Sequence, residues 1–143
     1  MDGAVLYVKG TFYSINGTNK AQLAAIDTAS VFPSAFSADL NDSQSASYML
    51  NSLSVDNGKL YVCGGFQYIQ GKQRNNIARI NLSTGLVDDW NANNGINTNN
   101  YIYTLNVTGN KLVIRVHLTS LKHHLFILSI CLMQKEILFC RIR

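Results

Sequence analysis

The sequence predicts an all-β fold, and three observations predict it. A segment of the chain recurs at a spacing of about fifty residues, the period of solenoid and propeller repeats. Each copy consists of short apolar runs rich in Val, Ile, Leu and Tyr, the composition of strands. Dipeptides suited to tight turns separate those runs.

The repeat is read by laying residue 6 on residue 60. "LYVKGTF" (Leu6 to Phe12) then falls on "LYVCGGF" (Leu60 to Phe66), with Gly10 on Gly64 and Phe12 on Phe66. The same offset of 54 puts Ile15 on Ile69, Gly17 on Gly71, Lys20 on Arg74, Ala24 on Ala78, Ile26 on Ile80 and Phe36 on Trp90. A second offset, 52, puts Leu53, Val55, Leu60 and Val62 on Leu105, Val107, Leu112 and Ile114.

Within one period, "LSV" (Leu53 to Val55) and "KLYV" (Lys59 to Val62) are strands joined through Asn57-Gly58, a dipeptide that accepts the positive φ of a two-residue hairpin. Gly109-Asn110 stands at the corresponding place between "LNV" and "KLVI". "NIARIN" (Asn76 to Asn81) is a third strand, "STG" (Ser83 to Gly85) a turn and "LVDDW" (Leu86 to Trp90) a fourth strand. Four short antiparallel strands per period make a propeller blade. Phe12, Phe66, Phe36 and Trp90 are then wedges between blades, able to bury large apolar areas. Gly64 and Gly65 permit a bulge or close backbone approach before Phe66. All seven residues, Gly10, Phe12, Phe36, Gly64, Gly65, Phe66 and Trp90, are expected to be structural.

The stretch "LYVCGGFQYIQGKQRNNIARINLSTGLVDDWN" (Leu60 to Asn91) resembles the delta-sixty type β-propeller repeats of large bacterial surface and secreted proteins. More distantly it resembles kelch blades and the propeller of fungal Rax-type cortical proteins. The resemblance rests on G-x-F after the first strand, on "RNNIARIN", and on T-G followed by D-x-W-N. It covers about residues 4–114; the first copy lacks the T-G and has Phe36 for Trp. The resemblance implies an all-β ring serving as a binding or display scaffold at the cell surface or outside the cell, with no catalytic residues to carry over.

The third copy breaks off. On the offset of 52, positions 116 and 118 should be Gly and Phe, but "LVIRVHL" has Val116 and Leu118. With the codons AGG GTG CAT TTA for Arg115 to Leu118, one adenine restored ahead of them gives AAG GGT GCA TTT. That reads Lys-Gly-Ala-Phe and returns the Gly and the Phe. Composition changes at the same place: all ten Gly and all seven Tyr precede Arg115, whereas all three His and two of the three Cys follow it. The net charge of +4 also belongs to residues 115–143, since seven Lys/Arg and seven Asp balance in residues 1–114. The basic balance is therefore no nucleic-acid signal. The rival reading is a native tail, helical by propensity. Its apolar core, Leu125 to Met133, is far shorter than the roughly 18 residues a membrane span needs; the competing functions are a membrane-associated adaptor held by this tail as a basic interfacial anchor, and an accessory ligand-binding domain of a secreted enzyme.

The expected organisation is a degenerate blade over 1–56, a blade over 57–110, the first strand of a third over 111–114, and a non-repeat tail, out of frame and helical, over 115–143. Such a chain is a partial β-propeller, a fragment that exposes apolar blade faces and self-associates through them. No secretory signal is visible in "MDGAVLYVKG". Chemistry-bearing constellations are sparse. His117, His123, His124, Cys131 and Cys140 fit no zinc spacing, and Asp39 to Ser43 begins like a calcium loop but lacks its Gly and Glu. Cys63 sits in an apolar strand as a small hydrophobe. Asp88 and Asp89 are adjacent, so on a strand they point to opposite faces. The Asn-rich loop Asn91 to Asn100 is placed on a rim, and sequons at Asn16, Asn41, Asn81 and Asn106 matter only in a eukaryotic secreted setting. The expectation is no enzyme, no cofactor, no metal, no nucleic acid and no membrane; the partner is a protein or a glycan.

Overall fold

The computed structural model describes residues 4–20, 22–36, 49–92, 102–109, 111–117, 127–133 and 136–141. Every element they form is a strand, gathered into small antiparallel sheets, so the protein is all-β. The first sheet pairs β1 (Val5–Lys9) with β4 (Leu23–Asp27), with a small hairpin of β2 (Ser14–Ile15) and β3 (Thr18–Asn19) between them. The second orders β5 (Leu50–Asp56), β6 (Lys59–Gly64) and β9 (Ile77–Asn81), with a hairpin of β7 (Tyr68–Ile69) and β8 (Lys72–Gln73) inserted before β9. The third orders β10 (Ile102–Thr108), β11 (Lys111–His117), β12 (Ile127–Met133) and β13 (Glu136–Arg141).

The offset of 54 is present in the hydrogen bonding itself. β1 and β4 pair from Val5↔Asp27 to Lys9↔Leu23, and β6 and β9 from Lys59↔Asn81 to Cys63↔Ile77. A single bridge continues each sheet, Ile26↔Pro33 in the first and Ile80↔Val87 in the second. The Gly10 N–H donates to Gln22 O and the Gly64 N–H to Asn76 O, both at 3.0 Å. The offset of 52 relates β5–β6 to β10–β11: both hairpins carry a register shift, between Leu50 and Ser52 in one and between Ile102 and Thr104 in the other.

Because side chains alternate across a strand, each sheet has two faces, and consecutive sheets bury one against the next. Leu60, Val62, Ala78, Ile80 and Val87 of the second sheet pack against Leu23, Tyr7 and Phe36 of the first unit. Its opposite face offers Cys63, Ile77, Tyr61 and Trp90 to Ile102, Leu105, Leu112 and Ile114 of the third. Among the described residues the core is thus two inter-sheet layers.

Asn57 and Gly58, at φ 46° and 66°, make the hairpin that ties β5 to β6, so the second sheet starts at Leu50, and β10 belongs to the third. The fourth strand of each repeat is only a one-residue bridge. In the tail, residues 127–133 and 136–141 are strands, and β12 pairs along β11 from Leu112↔Leu132 to His117↔Ile127. The runs "ILSICLM" and "EILFCR" are short and rich in residues that fit a pleat, and β11 offers β12 its ladder. The calcium-like segment Asp39 to Ser43 with its sequon at Asn41, residues 93–100 of the Asn-rich loop, Leu118, His123 and His124 lie outside the described residues.

Candidate functional site

Among the described residues, the densest polar constellation lies on the face of the second sheet that looks toward the third. Lys59 opens β6, Tyr61 follows on the same face, and Arg79 stands opposite Tyr61 on β9. Asp88 follows the bridge at Val87. Its Oδ2 accepts from Arg79 Nε at 2.8 Å and lies 3.5 Å from Lys59 Nζ, while its Oδ1 accepts from the Trp90 N–H at 3.0 Å. Arg79 lies 5.4 Å from the centroid of the Trp90 ring, and Trp90 meets Tyr61 edge-on at 5.6 Å. Burial works against the Arg79 charge, but hydrogen bonds to Asp88 and Tyr61 outweigh it and hold its pKa above the ordinary value.

Arg74, unlike the half-buried Arg79, is buried at 8% exposed, and it donates from Nη1 to Gln73 O and from Nη2 to Asp88 O, each at 2.8 Å. Its counterpart Lys20 donates to Phe36 O at 2.6 Å. Asp89 points away from this cluster and pairs with Lys72 at 2.9 Å; the hydrogen bond and charge of Lys72 hold its carboxyl below the usual range. The two adjacent aspartates therefore serve different partners. Both Asp88 oxygens are committed to donors, so the cluster acts as a clip that fastens the 86–90 segment to β6 and β9. The clip was not legible as such in the sequence; Lys59 at the hairpin end and Arg79 mid-strand were its only signals.

The seven signature residues fall as follows. Phe66 is buried in the layer between the first and second sheets, where Phe36 also packs, and Trp90 packs in the next layer. Tyr7–Phe36 and Tyr61–Trp90 repeat one geometry, with centroids 5.5 and 5.6 Å apart and both ring pairs at 82°. Phe12 is half-buried, its ring against Gly10, where an added Cβ would sit 3.3 Å away. Gly64 has no room at all, since a Cβ there would meet Met49 O at 1.7 Å. The Gly65 N–H donates to that same oxygen at 2.8 Å.

Cys63 is fully buried, and burial pushes its thiol up to about 12. Its Sγ lies 3.7 Å from Ile102 O, in the place where Lys9 Nζ reaches Leu50 O at 3.3 Å one layer earlier. The sequons at Asn16 and Asn81 are engaged locally. Asn16 Nδ2 donates to Val31 O, and Asn81 Oδ1 accepts from the Ser83 N–H. Among the described residues, no three His, Cys, Asp or Glu side chains converge as metal ligands would, and no helix is long and apolar enough to cross a membrane. Compared with models of protein families, with curated proteins and with solved structures, the chain matches none.

Proposed function

We propose that the chain is a non-enzymatic binding or display scaffold of the β-propeller type, built from blades that stack face to face and belonging outside the cytoplasm, with a protein or glycan partner. The observation that carries this reading is the repetition of whole layers. Strand register, bridges, aromatic pairs and cross-layer donors recur at offsets of 54 and 52, which supports a stacking unit that the sequence uses more than once. The most polar cluster is spent on holding one such unit together, with its carboxylate neutralised by two cations. The loss of G-x-F after Ile114 reads as loss of the original frame, and resequencing the DNA across codons 105–143 tests it. Recovery of G-x-F and further repeats in another frame is the expected result.

The functional test is an immobilised full-length chain probed with glycan and protein panels, alongside ester, glycoside and peptide hydrolysis. Saturable binding without turnover is expected. Turnover abolished by Asp88→Asn would overturn the scaffold reading, and so would a failure to bind any member of the panels.

A further inference from the structure

We infer that Asn57-Gly58 is a self-modifying site, at which the side-chain amide of Asn57 is lost through a cyclic imide and an aspartyl or isoaspartyl residue takes its place. The inference rests on the geometry of one turn and holds whether or not the scaffold reading does. Water is the only co-reactant. The Gly58 main-chain nitrogen, giving its proton to hydroxide, attacks the side-chain carbonyl carbon of Asn57. A C–N bond forms there, and the amide group leaves as ammonia with a proton from water. Water then opens the imide ring at one of its two carbonyls. One opening gives the ordinary aspartyl link, the other the isoaspartyl link, in which the main chain runs through the former side chain.

The turn leaves both reacting groups free. A Cβ added at Gly58 would meet nothing within 4 Å, so the ring forms in open space. Asp56↔Lys59 closes the ladder, and among the described residues the Gly58 N–H donates to nothing. Gly58 is held instead by its carbonyl, which accepts from the Leu82 N–H at 3.0 Å. Asn57 is exposed, and its Nδ2 reaches Asp56 Oδ2 only at 3.4 Å, beyond the ordinary range of an N–H···O bond. Attack requires rotation about the Asn57 Cα–C bond, out of the turn conformation at φ 46°. Gly58, with no Cβ, absorbs that rotation.

Asn16-Gly17, at the tip of β2–β3, is the same dipeptide at nearly the same angles, φ 47° and 75°. Among the described residues its Gly17 N–H also has no partner. The difference lies in the side chain. Asn16 Nδ2 donates to Val31 O at 2.9 Å, and that bond must break before the carbonyl carbon can swing onto the Gly17 nitrogen. One net hydrogen bond slows the reaction about fivefold. The two dipeptides are equal as sequence, and the structure ranks Asn57 first. Its position also matters, because an isoaspartyl link lengthens the main chain between Asp56 and Lys59, the pair that closes β5 onto β6. β5 carries Asn51 and Ser52, which donate to Ile102 O and Leu105 O of β10, so the change bears on the contact between the second and third sheets.

The test follows conversion at positions 57 and 16 by peptide mass spectrometry, with the full chain kept in mildly alkaline buffer, folded in one sample and unfolded by guanidinium chloride in another. In the folded chain Asn57 should convert about fivefold faster than Asn16, and hydroxylamine, which traps the imide, should cut the chain after Asn57 ahead of Asn16. In the unfolded chain, where the bond to Val31 is gone, the difference should vanish. Conversion at Asn16 as fast as at Asn57 in the folded chain overturns the inference. A difference that persists on unfolding also overturns it and assigns the ranking to flanking residues. So does an intact Asn57 in the folded chain once the unfolded chain has fully converted, which would make the turn protective.

Discussion

Val31 holds φ at 63°, a conformation costly for a β-branched residue, and its counterpart in the second repeat is Gly85 at φ 70°. Val31→Gly is therefore expected to raise stability by about 1 kcal/mol, the left-handed penalty less the entropy that Gly loses, as a shift in urea midpoint. The two glycines that end β1 and β6 should behave oppositely to each other. Gly64→Ala drives a Cβ into Met49 O and should cost about 3 kcal/mol. Gly10→Ala meets only a ring edge and should stay within about 0.5 kcal/mol. Cys63 makes a pH prediction. Its folded pKa, pushed up to about 12, lies above that of an unfolded thiol, so its contribution is complete below about pH 8.5 and falls as pH rises toward 12. Urea midpoints measured between pH 8 and 11 should decline more steeply for the parent chain than for Cys63→Ala. The need for Gly at 64 was legible in the G-x-F spacing. The strain at Val31 was not, because a missing T-G reads as simple degeneracy until the backbone shows that the turn has been kept.

Between elements, the two aromatic pairs make one claim twice. Double-mutant cycles on Tyr7/Phe36 and on Tyr61/Trp90 should each return a coupling of about 1 kcal/mol, since edge-to-face geometry is the same in both layers. A coupling in one pair and none in the other would mean that the layers are not equivalent. The hairpins β2–β3 and β7–β8 went unread as strands, although Asn16-Gly17 and Gln70-Gly71 carried a turn signal, because runs of two residues have no periodicity to detect. Their use is clear from Gln70, whose side chain donates to Gly85 O at 2.8 Å and accepts from the Val87 N–H at 2.7 Å, pinning the bridged segment. Asn16 makes the corresponding bond to Val31 O. The strands of the tail have a related explanation: "ILSICLM" and "EILFCR" carry comparable helix and strand signals, and β12 pairs along the ladder of β11.

At the scale of the whole molecule, the chain is a stack of sheets whose layers repeat, and its sequence period was visible because each layer demands the same side chains in the same order. What the period could not set was its phase: a repeat can be cut anywhere, and only the Asn57-Gly58 hairpin shows that β5 closes onto β6. The clip of Lys59, Arg79 and Asp88 was hidden because its members are distant in sequence and occur in only one repeat. The most direct test of the stacked-repeat account is the set of inter-strand and inter-layer NOEs from residues 4–117 of the full chain. The account predicts contacts of Tyr7 with Ala25 and of Tyr61 with Arg79 across their sheets, and of Asn51 with Ile102 between layers. Intra-sheet contacts without the Asn51–Ile102 contact, or sequential helical NOEs over either repeat, would contradict it.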